Sequence, residues 1–117
     1  MFMDINERFS SRQNLRKHYI QHVKQDGLFG NITIKEYEQL ADNIQRSEVD
    51  NKRLFGYISN YDNNKSYSKY DIETGIYVSY FYKNGEPLTI TCYILDRPSK
   101  YFNREKKYKV ADIPKGL

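Results

Sequence analysis

His18 and His22 are the only histidines in this 117-residue chain, and they stand four positions apart. On a helix that spacing places both imidazoles on one face, one turn from each other. An imidazole exchanges its proton near neutral pH, so such a pair suits acid–base work. Three uses compete for it. Each ring can simply pack at the helix edge and satisfy a local hydrogen bond, which is the commonest fate of a single histidine. The pair can bind zinc, but the metalloprotease arrangement needs a glutamate directly after the first histidine, and that place is Tyr19. The pair can also act on RNA, which supplies its own nucleophile. One imidazole would remove the ribose 2′-hydroxyl proton or protonate the departing 5′-oxygen, and no metal is obligatory. Arg12, Arg16, Lys17 and Lys24 surround the pair and are able to hold phosphate, although such charges are usually a solvated helix face.

The elements that must position these rings are legible around them. Ser10 or Ser11 caps a helix from Arg12 to about Gln25, with Leu15, Tyr19, Ile20 and Val23 as its apolar stripe and Asp26-Gly27 as its stop. The histidines flank that stripe, at a boundary between core and solvent. Thr33 and Glu36 form a capping box ahead of a second helix, whose stripe is Ile34, Tyr37, Leu40, Ala41 and Ile44 and which runs to about Ser47. Beyond Leu54 the pattern becomes short aromatic and β-branched runs broken by Asn, Asp and Gly. Strands are expected near Leu54–Ser59, Tyr67–Asp71, Gly75–Tyr82 and Leu88–Leu95. Asn84-Gly85 marks a two-residue hairpin turn, because both residues tolerate the positive φ that a type I′ turn demands. Counting back from that tip puts Thr89 opposite Tyr80, Thr91 opposite Val78 and Tyr93 opposite Ile76. Alternation then gathers Leu88, Ile90, Cys92 and Ile94 on one face and Thr89, Thr91 and Tyr93 on the other. Helices first and strands afterwards make the class α+β, two helices followed by a mainly antiparallel, twisted sheet of four to five strands.

Bulk composition limits what such a chain can be. Its length suits one domain, 1–117, with helices over about 11–47 and the sheet over about 54–110. A hydrophobic fraction of 38% is low, but 12 Tyr and 6 Phe argue against disorder. The formal net charge of +4 is compatible with a phosphate-backbone partner without requiring one. The single Cys92 excludes an internal disulfide and a cysteine zinc cluster. No apolar stretch is long enough to span a bilayer, so membrane insertion by this domain is not expected. Basic residues Arg97, Lys100, Arg104, Lys106, Lys107 and Lys109 alternate with Tyr101, Phe102 and Tyr108 in the tail, either as a last strand or as a phosphate-binding arm.

The run Leu15-Arg16-Lys17-His18-Tyr19-Ile20-Gln21-His22, then Phe29-Gly30 and Thr33-x-x-Glu36-Tyr37 with Leu40-Ala41 beyond, resembles the opening of a bacterial polymorphic-toxin and phage ribonuclease family. That family belongs to the barnase/EndoU/colicin/RelE-like (BECR) fold group. The later half is also similar to it, with Tyr70-Asp71-Ile72-Glu73-Thr74-Gly75 as a strand turn and a hairpin strand bearing a conspicuous threonine. The family strand has one threonine beside a large residue and then a proline. Here Thr89-Ile90-Thr91-Cys92-Tyr93 offers two threonines and Pro98 comes late, so both stay candidates. The basic residue ahead of the Tyr-Asp turn is Lys69, with Lys65 as a rival.

The resemblance implies a toxin that cleaves RNA, often tRNA, by metal-independent transesterification to a 2′,3′-cyclic phosphate and a 5′-hydroxyl end, with no cofactor. His18 or His22 would be the general base or acid. Thr89 or Thr91, with Tyr93, would hold phosphate oxygens or the ribose. Lys17 would contact RNA, and Lys69 or Arg97 would neutralise phosphate. It further implies carriage at the C-terminus of a large secreted or contact-dependent inhibition protein, action in a target cell's cytoplasm as a monomeric toxin, and a cognate immunity protein covering the basic cleft. The rival reading is a non-catalytic RNA-binding or protein-binding module of a larger secreted or phage protein. An NAD-using toxin finds no glycine-rich phosphate loop.

Overall fold

The computed structural model describes residues 9–61, 64–95 and 106–108. Helix α1 spans Arg12–Tyr19, and Ser11 is its cap, accepting a hydrogen bond on Oγ from the Asn14 N–H at 3.0 Å. The helix runs without a break into a π-helical segment, Ile20–Gln25. The Asp26 N–H donates to the Gln21 carbonyl at 3.1 Å, closing the wider turn five residues back, and Gly27 then leaves it at a φ of 70°. One expected helix is thus two kinds of helix end to end. Helix α2 spans Ile34–Arg46 and opens on the expected capping box: Thr33 Oγ1 accepts from the Glu36 N–H, and Glu36 Oε1 accepts from the Thr33 N–H.

The strands are β1 (Leu54–Tyr61), β2 (Asn64–Asp71), β3 (Ile76–Lys83), β4 (Glu86–Ile94) and the short β5 (Lys106–Tyr108). They form one antiparallel sheet in the order β4-β3-β2-β1-β5, so the fold is α+β, helices first. Asn84 and Gly85 make the β3–β4 turn at φ values of 54° and 82°. One face of the sheet packs against α2. There Leu54, Tyr67, Ile76, Val78, Tyr80 and Cys92 meet Leu15, Val23, Tyr37, Ala41 and Ile44 in one buried cluster. The other face carries a second cluster around Tyr57, Tyr70 and Tyr77 with Tyr93 against it. No helix among the described residues is long and apolar enough to cross a membrane.

Strand β4 is one edge of the sheet, and the N-terminal segment covers it. Phe9 bridges Thr89 in parallel, the Ser10 N–H donates to the Thr89 carbonyl at 2.9 Å, and Asn14 Nδ2 donates to the Ile90 carbonyl at 2.9 Å. Backbone groups that would otherwise stand open to another chain are thereby satisfied. Helix α1 and the π-helical segment that continues it lie along this edge, so their two flanks serve different layers. Leu15 and Val23 enter the core, and the flank with His18 and His22 reaches Thr91 of β4.

The register corrects the expected hairpin pairing. Tyr80 pairs with Thr89 as expected, but Ser79 pairs with Thr91 and Tyr77 with Tyr93, because a bulge at Ile90 inserts one unpaired residue. The pleat changes phase there. Thr89 therefore joins Cys92 and Ile94 on the core face, and Thr91 and Tyr93 turn to the opposite one.

Candidate active site

Both imidazoles reach one hydroxyl of the hairpin. Thr91 Oγ1 lies 3.0 Å from Nδ1 of His18 and 3.4 Å from Nε2 of His22. The two imidazoles are stacked, with centroids 5.4 Å apart and planes 14° from parallel. His22 in turn stacks on Tyr93, centroids 5.0 Å apart, and Tyr93 leans on Tyr77. On its far side His22 Nδ1 is 3.2 Å from Asp26 Oδ2. The polar chain therefore runs Asp26, His22, Thr91, His18. His18, His22 and Asp26 are spaced by four through α1, the π-helical segment and its cap, so each lies about one turn from the next on one flank.

His18 is half-buried, and burial is the main force that lowers its pKa from the ordinary histidine value; the neighbouring charges of His22 and Lys17 push the same way. A neutral imidazole near pH 7 is an acceptor of protons, which is what a general base must be. His22 keeps 12% of its side-chain surface exposed and Asp26 48%, so the chain runs from solvent inward.

Of the residues singled out from sequence, His18, His22, Thr91 and Tyr93 come together. Lys17 is exposed on the same helix, close enough for its charge to act on His18. Thr89 is not in this group: it is fully buried on the core face, and its Oγ1 accepts from Gln45 Nε2 at 2.7 Å. Lys69 is also elsewhere. Its Nζ donates to the carbonyls of Gln45 at 2.6 Å and Ser47 at 2.8 Å, at the C-terminal end of α2. A cation there satisfies orphan helix carbonyls and the negative end of the helix dipole. Burial lowers its pKa to about 8. Arg97 lies outside the described residues, as do most of the tail's basic residues.

The two threonines therefore have separable roles. Thr89→Val is expected to cost about 1–3 kcal/mol by leaving the buried Gln45 amide without its partner, read as a lower urea midpoint, with the histidine site intact. Thr91→Val should leave the urea midpoint nearly unchanged and disconnect the two imidazoles. The opposite pattern would reassign them.

A groove of about 310 Å³ lies between α1 and α2, with Arg12, Leu15, Ile34, Lys35, Glu38 and Asp42 in its lining. Its two carboxylates are matched by the cations Arg12 and Lys35, and no histidine lines it. Among the described residues no three His, Cys, Asp or Glu side chains are grouped to hold a metal. The participant that sequence reasoning missed is Asp26, read only as a helix stop; its distance of four from His22, the same interval that singled out the pair, was the available signal. Compared with known proteins, the chain matches no family, no curated protein and no solved structure.

Proposed function

We propose that the protein is a metal-independent endoribonuclease, with tRNA as the leading substrate class. The observation that carries this reading is the convergence of both histidines of the chain on the Thr91 hydroxyl. In the reaction an imidazole accepts the 2′-hydroxyl proton, the 2′-oxygen bonds to phosphorus, and the bond from phosphorus to the 5′-oxygen breaks. The 5′-oxygen leaves as a hydroxyl by taking up a proton, so the products are a 2′,3′-cyclic phosphate and a 5′-hydroxyl end. Protons balance, and the nucleophile belongs to the substrate. Lys17 contributes positive charge beside the site, and Tyr93 contributes a ring beside His22.

Purified protein is expected to cut total tRNA in the presence of EDTA, leaving termini that resist ligation until the cyclic phosphate is opened. The rate should fall as pH drops through the lowered pKa of His18, so the acidic limb belongs below the ordinary histidine value of 6.5. The sign follows from the base: protonation removes its lone pair, and burial together with the charges of His22 and Lys17 postpones protonation to lower pH. Absence of cleavage in EDTA would count against the reading. By the same reading the domain is a toxin delivered by a larger secreted effector, which requires an acidic immunity partner in the producing cell.

A further inference from the structure

We infer that Asp26 is a positioning residue that sets the direction of hydrogen bonding through His22 and Thr91, and so makes Nε2 of His18 the atom that accepts the substrate's proton. The catalytic half of this inference rests on the ribonuclease reading; the positioning half does not.

The hydrogens available to the four groups fix the direction. Asp26 is an acceptor only, so the 3.2 Å contact to His22 requires the proton of His22 to sit on Nδ1. With His22 neutral, its Nε2 is then an acceptor, and the 3.4 Å contact must be a donation from the Thr91 hydroxyl. That hydroxyl has one hydrogen, now used. The 3.0 Å contact between Thr91 Oγ1 and His18 Nδ1 can then only be a donation from His18. His18 therefore carries its proton on Nδ1 and presents a bare Nε2, which makes no hydrogen bond among the described residues. Remove Asp26 and the chain is free to reverse. His22 can place its proton on Nε2 and donate to Thr91, Thr91 then donates to His18 Nδ1, and the His18 proton moves to Nε2, where it blocks the base.

The direction also closes the proton balance on one ring. Nε2 of His18 takes the 2′-hydroxyl proton, the ring becomes an imidazolium still held by Thr91, and that proton passes to the departing 5′-oxygen. The 2′-oxygen to phosphorus bond forms as the phosphorus to 5′-oxygen bond breaks, and His18 ends as it began. His22 is then part of the support and never meets the substrate's proton.

The test is the ¹⁵N shifts of the imidazole nitrogens in the full chain, at a pH where both rings are neutral, alongside cleavage of total tRNA. In the wild-type protein both rings should carry the proton on Nδ1. Asp26→Ala should move the His18 proton to Nε2, although Asp26 touches only His22, and should reduce cleavage about 100-fold or more. Asp26→Glu, which keeps the acceptor, should retain the His18 tautomer and much of the rate. In a Thr91→Val background, where the link between the rings is cut, Asp26→Ala should no longer alter His18. A His18 tautomer unmoved by Asp26→Ala in a folded protein overturns the inference, whatever happens to the rate. If none of the proteins cuts RNA but the tautomer switches as described, the ribonuclease reading falls and the positioning role stands.

Discussion

Replacing His18 by alanine is expected to lower RNA cleavage by about 10²–10⁴-fold while the protein remains folded. His22→Ala should fall in the same range, because losing it leaves Thr91 free to donate to His18 and put the His18 proton on the wrong nitrogen. The double variant should be little worse than either single one, since residues that act as a unit are not additive. Folding should survive. His18 and His22 touch Thr91, each other, Tyr93 and Asp26, on the flank of α1 and its π-helical continuation that lies outside the core of Leu15 and Val23. The measurement is initial rate on total tRNA beside circular dichroism and a urea midpoint for each variant. On the proposed toxin reading, the wild-type protein should arrest growth when expressed in a bacterial cytoplasm, and the variants should not. Full activity in the double variant would end the mechanism.

Tyr37→Ala should have the largest effect on stability, about 3–5 kcal/mol, from the loss of a buried aromatic side chain. Tyr37 is fully buried, and its ring meets Phe9, Tyr19 and Phe29 at centroid distances of 5.8, 5.9 and 5.5 Å. Its hydroxyl donates to the Cys92 carbonyl, and burial holds that phenol protonated far above the usual tyrosine range. Domains of this size have total stabilities of about 5–15 kcal/mol, so the substitution removes a large fraction of the whole. It also acts on the site, because Cys92 lies between Thr91 and Tyr93. Tyr37→Phe should cost much less, about 1–2 kcal/mol, since it keeps the ring and loses only the hydrogen bond. A urea midpoint for each, with cleavage measured well below the midpoint, separates lost stability from displaced Thr91. Equal losses for the two variants would mean that the hydroxyl, and not the ring, dominates.

Which parts of this were legible in the residues depends on whether the cause was local. The capping box at Thr33 and Glu36, the stop at Gly27 and the turn at Asn84-Gly85 are short-range devices with dedicated residue types, and all three form where the types stand. The histidine pair was legible for the same reason. The bulge was not. The stretch Leu88-Thr89-Ile90-Thr91-Cys92 alternates regularly and contains no glycine to mark an extra residue, so both threonines were expected on one face. The π-helical segment was equally silent, because Leu15, Tyr19 and Val23 at intervals of four suit an α-helix almost as well. Lys69 misled for a different reason. Backbone carbonyls at the end of α2 are its partners, and a backbone acceptor leaves no trace in residue types.

The unpaired residue at Ile90 has a consequence for how β4 tolerates change. The tip of the hairpin is measured from Asn84-Gly85, and its root is measured from Cys92, which Tyr37 holds by its carbonyl. Those two rulers disagree by one residue, and Ile90 takes up the difference while Asn14 grips its carbonyl. A one-residue change of length between the tip and Ile90 would meet the anchors on Thr89 and on the Ile90 carbonyl first, so it would be felt as lost stability before it displaced Thr91 from the imidazoles. Those anchors stand between the hairpin tip and the histidine flank.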